Sequence, residues 1–166
     1  MLPQLDKLLK LLKEADVEFI VIGGVAMVAH GSAHVTFDLD ICYRRTKENI
    51  ERTCTALAPF HVKLRGTSGG LDLPFRFDAE TVRRGLNFTL DTDLGDIDLL
   101  GEVSGIGTYE QMLPSTVLRT IDSIKCQILT IDGLIRAKKA AGRKKDLSAI
   151  EELEGLKDLK NRLGDN

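Results

Sequence analysis

Leu5, Leu8, Leu9, Leu12 and Ala15 recur at helical spacing with Lys7, Lys10, Lys13 and Glu14 between them, which predicts an amphipathic first helix. Residues 17–22 form an apolar run of strand length that stops at Gly23-Gly24. The small apolar residues 25–30 predict a short helix ended by Gly31. Next, Phe37-Asp38-Leu39-Asp40-Ile41 alternates strictly. As a strand it turns Phe37, Leu39 and Ile41 into a core and Asp38 and Asp40 together off the other face. Thr46 is placed to cap a helix striped by Ile50, Cys54 and Leu57, which Pro59 stops. Strand, helix, strand, helix is the opening of an α/β or α+β domain.

The pattern weakens over residues 60–84. Residues 61–64 alternate faintly, the Gly/Ser-rich stretch 66–70 reads as a loop able to contact a substrate, and Pro74-Phe75-Arg76-Phe77 fits a short edge strand or an irregular segment. Order returns over residues 86–91, whose alternation predicts a strand, followed by a turn at 92–95 and a returning strand at 96–100. In that return Ile97 and Leu99 face one way, Asp96 and Asp98 the other. Asp96 lies beside the turn, which predicts solvation for it. A short helix is expected near 108–113, broken by Pro114, then two strands, 116–121 and 125–131, around Asp122-Ser123. Asp132 is the expected N-cap of a helix beginning at Gly133. Leu147, Ile150, Leu153, Leu156 and Leu159 carry an apolar stripe through a helical region at about 132–163, to pack on the domain or on a partner.

At 166 residues, 43% hydrophobic and 29% charged, the chain suits one globular domain over residues 1–166. A formal net charge of -2 argues against a general polyanion binder. Cys42, Cys54 and Cys126, odd in number and without CxxC spacing, fit free thiols in a reducing cytoplasm better than disulfides or a zinc site. The longest apolar run, 19–29, is too short for a bilayer, and no cationic-then-apolar leader precedes it. The expectation is a cytoplasmic protein with no membrane association.

Candidate chemistry centres on the acidic strand. Asp38 and Asp40 lie about 7 Å apart on one face, where like charges repel by about 2 to 3 kcal/mol at an effective dielectric near 20. Magnesium or manganese would offset that, carboxylate oxygens being their preferred ligands. The second Asp-x-Asp strand makes a shared acidic cluster the economical reading if the two strands are neighbours. Gly23-Gly24 reads either as a tight connection or as a phosphate cradle, without the GxGxxG or GxxxxGK[ST] pattern. His30 and His34 read as hydrogen-bonding or surface histidines before metal ligands, and His34, approaching the acidic strand, as a nucleotide contact. Arg136, Lys138, Lys139, Arg143, Lys144 and Lys145 read first as a solvated basic face.

Gly23-Gly24, His30-Gly31, Thr36-Phe37-Asp38-Leu39-Asp40 and Ile97-Asp98-Leu99-Leu100 together resemble the polymerase-beta-type nucleotidyltransferase superfamily, and most of all its small prokaryotic members, including abortive-infection toxins. The likeness continues through Tyr109-Glu110-Gln111-Met112-Leu113 and residues 134–147, covering most of the chain. It implies a mixed β-sheet flanked by helices and two Mg2+ or Mn2+ ions at Asp38, Asp40 and Asp98. It also implies transfer of a nucleoside monophosphate from a triphosphate such as ATP to a hydroxyl of RNA, protein or a small molecule, with a toxin–antitoxin setting among the possibilities. By the same resemblance Gly23, Gly24, His34 and Thr36 belong to the nucleotide site, and Lys138 and Arg143 face it. Relatives commonly carry Arg where this chain has His34, a departure that implies weaker or pH-dependent nucleotide binding. Two alternatives remain open: a nucleotide-binding regulatory subunit of the same fold without catalysis, and an unrelated metal-binding α/β protein. Because no large acceptor-binding domain is evident, acceptor choice is expected from exposed loops, a homodimer mate or a partner such as an antitoxin.

Overall fold

The computed structural model describes residues 3–66 and 74–164. In chain order the elements are α1 (Pro3–Glu14), β1 (Phe19–Ile22), α2 (Gly23–Ala29), β2 (Asp38–Tyr43), α3 (Lys47–Leu57), β3 (Lys63–Leu64) and α4 (Ala79–Arg84). They continue with β4 (Asn87–Thr92), β5 (Gly95–Leu100), β6 (Glu102–Val103), β7 (Gly107–Thr108), α5 (Tyr109–Met112), β8 (Thr116–Ile121), β9 (Ile124–Leu129), α6 (Ile131–Ala141) and α7 (Leu147–Leu163). Seven strands form one mixed sheet in the order β3-β4-β5-β2-β1-β9-β8, while β6 and β7 pair separately. Only β2/β5 and β1/β9 run parallel within it; the other neighbours are antiparallel. The α/β class and the mixed sheet flanked by helices are therefore as the sequence predicts.

Burial explains the order. All four residues of β1 are buried, as expected for a central strand covered on both faces. Helix α1 packs against β2, β5 and α3, with Leu5, Leu8, Leu9 and Leu12 buried, and α2 packs against β1, β2 and α6. Strand β4 alternates exposed and buried throughout, so one of its faces lies open. The three cysteines are free and buried. Among the described residues no helix is long and apolar enough to cross a membrane.

Several expectations need correction. Phe37 is 70% exposed rather than in the core. Pairing with β1 runs out at Ile22↔Asp40, because the chain leaves β1 for α2 at Gly23, and Phe37 lies past the rim of the sheet. The cap of α6 is Thr130, whose hydroxyl accepts from Gly133 N at 3.2 Å; Asp132 sits inside the first turn and pairs with Lys157 at 2.6 Å. Helix α4 was not legible in the sequence, although Asp78 caps it by accepting from Thr81 N at 2.8 Å. Residues 74–77 are irregular, and loop residues 67–70, expected to contact a substrate, fall outside the described residues. The stripe on α7 is split: Leu153 is buried, but Leu147 and Leu159 are exposed. The expected hairpin around Asp122-Ser123 forms, but its second strand runs 124–129 rather than 125–131, since Thr130 caps α6 and Ile131 is helical; Asp122 and Ser123 both have positive φ, the conformation a two-residue turn needs to match strand twist.

Asn49, fully buried on α3, fixes the start of β1 and the end of β2, the strand that carries Asp38 and Asp40. Its Oδ1 accepts from Glu18 N at 2.7 Å, and its Nδ2 donates to the carbonyls of Glu18 at 3.0 Å and Arg44 at 2.8 Å. These are backbone groups just before β1 and just after β2; the Glu18 carbonyl also accepts from Arg44 N at 3.0 Å, so the amide matters most to Glu18 N and the Arg44 carbonyl. Asn49→Ala should cost about 2–4 kcal/mol in urea unfolding, from three lost hydrogen bonds and stranded backbone groups. A loss below about 0.5 kcal/mol would show that the two strands are held elsewhere.

Candidate functional site

The parallel register of β2 and β5 sets Asp38 opposite Asp96 and Asp40 opposite Asp98. Alternation already places each pair on one face of its strand, so the register brings all four carboxylates to one patch. Asp38, Asp40 and Asp98 each offer an oxygen within 4.8 Å of the others, close enough to share an ion. Among the described residues no other group of three acidic, His or Cys side chains is arranged this way.

The glycines are explained by how closely the backbone passes. Gly23 has φ +62, and a Cβ there would collide with the Asp40 carboxylate. A Cβ on Gly24 would come within 2.6 Å of the Thr36 hydroxyl. That hydroxyl in turn donates to the backbone carbonyl of Asp38 at 3.1 Å and faces its carboxylate at 3.3 Å. There is no loop between β1 and α2: the helix begins at Gly23 itself, so its free first-turn amides open beside the acidic patch. His34 is exposed, with its ring over Gly24, and its backbone N–H donates to Ser32 Oγ, which is itself tied to Glu152 of α7. His30 is buried, with Nε2 2.9 Å from the Leu129 carbonyl, as a hydrogen-bonding histidine should be.

All nine positions singled out in the sequence line one cleft of about 680 Å3: Gly23, Gly24, His34, Thr36, Asp38, Asp40 and Asp98 on the sheet side, Lys138 and Arg143 on the helical side. The two cations share a partner that the sequence analysis missed. Asp146, 4% exposed, accepts from Lys138 Nζ at 3.1 Å and Arg143 Nε at 2.6 Å. Burial opposes its charge, but the hydrogen bonds from Arg143 and Lys138 prevail and hold its carboxyl below the usual range. Its signal in the sequence was the one acid inside a basic run.

Arg65 is the second omission. Its backbone N–H donates to Thr89 O at 3.0 Å, continuing the β3/β4 pairing and setting its side chain on the acidic face. Nη1 lies 2.8 Å from Asp96 and 3.4 Å from Asp38, and Nη2 donates to Asp98. Asp96 is thus ion-paired rather than simply solvated, because Arg65 reaches over β4 to meet it.

One guanidinium does not neutralise four carboxylates. Asp40 has its pKa pushed up to about 7, by burial first and then by the charges of Asp38 and Asp98. Burial also raises Asp98, against the pull of Arg65. This donor set fits a hard divalent cation: oxygen ligands only, converging, with too little positive charge around them. Because the folded pKa of Asp40 exceeds its unfolded value, its contribution favours the fold at low pH and is lost as pH rises through 7. Without divalent ions, Asp40→Asn should therefore be more stable than the parent above pH 7, by about 1–3 kcal/mol, with the gap closing toward pH 5. Urea unfolding at pH 5 and 8 in chelator would measure this; equal or lower stability at pH 8 would mean the carboxylates are not strained.

The sequence matches no protein-family model, and no curated protein was found to be similar to it. Solved structures do match in shape. The lincosamide antibiotic adenylyltransferase LnuA, in its lincomycin-bound form, superposes with a TM-score of 0.62 at 11% identity, covering 94% of this chain and 98% of that one. A Thermotoga maritima protein provisionally assigned as a nucleotidyltransferase gives a TM-score of 0.51 at 15% identity, covering 95% of this chain and 91% of that one. At such identities the likeness concerns the fold, and the chain has the nucleotidyltransferase fold.

Proposed function

We propose that this chain is a metal-dependent nucleotidyltransferase, moving a nucleoside monophosphate from a nucleoside triphosphate to an acceptor hydroxyl. The observation that carries the reading is the convergence of Asp38, Asp40 and Asp98 from two strands onto one point in a cleft whose opposite wall is cationic. Two Mg2+ or Mn2+ ions held by those carboxylates would supply charge neutralisation on the phosphates and a lowered pKa at the attacking hydroxyl.

The protein's own part is positioning. Asp146 holds Lys138 in one pose, 15% exposed, so that the ammonium lines the cleft as a phosphate contact with little entropy left to lose. Arg143 sits beside it and is the more exposed of the two, at 55%. Gly23 and Gly24 let Asp40 and Thr36 pack directly against the start of α2, which sets the Asp40 carboxylate beside the cleft. Asp98, the member of the group that comes from β5, would take the hydroxyl proton.

LnuA, of similar length, is an adenylyltransferase of lincosamide antibiotics, so a small-molecule hydroxyl is the first acceptor to test, ahead of RNA or a protein side chain. A toxin role and an antitoxin partner belong to the RNA or protein outcome. The competing reading, a nucleotide-binding subunit without catalysis, draws on His34, a single imidazole donor where the family resemblance implies a guanidinium. Incubation with each labelled triphosphate, Mg2+ and small-molecule, RNA and protein pools should label one pool and release pyrophosphate. Asp98→Asn should slow transfer about 10²–10⁴-fold with the triphosphate still bound, whereas Lys138→Met should chiefly raise KM. Triphosphate binding with no pyrophosphate release under any condition would favour the non-catalytic reading, and release undiminished in Asp98→Asn would remove the assignment.

A further inference from the structure

Arg65 lies against the converging carboxylates. Its Nη2 donates to Asp98 and its Nη1 lies 3.4 Å from Asp38, two of the three residues that converge closely enough to share an ion. Its shortest contact to a residue outside that group is Nη1 to Asp96 at 2.8 Å. A guanidinium lodged against Asp38 and Asp98 excludes a divalent cation from the same oxygens, both by volume and by like charge.

We propose that Arg65 is a built-in counter-cation of this site, which a divalent metal must displace from Asp38 and Asp98 before it can bind. The proposal rests on the metal-site reading above and adds its regulation. Three features support displacement over a fixed structural role. Arg65 follows the edge strand β3, at the border of the sheet rather than in a central strand. Its side chain is 26% exposed and has a path to solvent through the cleft it lines. Asp96 stands one step along β5 from the converging group and remains available as an anchor after Asp38 and Asp98 are given up. Held by Asp96 at the edge of the cleft, the released guanidinium faces the space where a polyphosphate would lie, and offers the bidentate grip that His34 does not. Metal loading and exposure of a phosphate-binding guanidinium are then one event. A site without metal carries its own plug and relieves part of its repulsion internally.

Manganese titration of the full chain without nucleotide, following the free-ion electron paramagnetic resonance signal, tests this directly. Arg65→Gln should bind Mn2+ at least tenfold more tightly than the parent, and its melting temperature in chelator should be lower and rise further on adding Mn2+. Arg65→Lys, which keeps a cation but loses the bidentate fork, should lie between the two and serves if Arg65→Gln does not fold without metal. Asp40→Asn marks the site, since binding it does not weaken is binding elsewhere. Equal or weaker Mn2+ affinity in Arg65→Gln, with Asp40→Asn still abolishing binding, overturns the role of Arg65 and leaves the metal site standing. If neither parent nor Arg65→Gln binds Mn2+ in a manner sensitive to Asp40, the metal site fails and the counter-cation with it.

Discussion

Carboxylates that would repel one another in isolation are pressed together here by hydrogen bonds that have nothing to do with them. The parallel ladder between β2 and β5, with Leu39, Ile41, Ile97 and Leu99 fully buried, sets the register, and the register forces Asp38 beside Asp96 and Asp40 beside Asp98. A slip by one residue would bury the acids and expose the leucines, so core burial is what holds the charges in place. The strain appears in the protonation of Asp40, drawn to about 7, and in the recruitment of Arg65 from across β4. Both responses lower the negative charge of one patch, and a divalent cation would do so more completely.

The rest of the cleft is consistent with that centre. Glycines stand where Asp40 and Thr36 press against the start of α2, and Asn49 fixes the other ends of β1 and β2, at Glu18 and Arg44. Across the cleft the buried Asp146 gathers the half-buried Lys138 and the exposed Arg143. The helical wall thus carries positive charge and the sheet wall negative charge, the pairing on which the proposed function rests.

Much of this was legible in the sequence because it is local. Period-two alternation is enough to pair Asp38 with Asp40 and Asp96 with Asp98, and Thr46 capped its helix as expected by accepting from Asn49 N. What depended on distant partners was harder. Arg65 follows a strand two residues long, and nothing near it in the chain says that it crosses to β5. Phe37 obeys the alternation, yet the sheet ends beneath it because β1 turns away at Gly23. Thr130 and Asp132 are both good caps; the choice fell to Thr130 because Ile131 is already helical. Helix α4 buries only Val82, too little periodicity to be seen.

The central claim is that acids from two strands converge to bind a cation. Crystals soaked in Mn2+ and recorded at its absorption edge would test this most directly. The account predicts an anomalous peak within coordination distance of Asp38, Asp40 and Asp98, with the guanidinium of Arg65 withdrawn from Asp98. A peak elsewhere, or none at saturating Mn2+ with the Arg65–Asp98 contact intact, would contradict it.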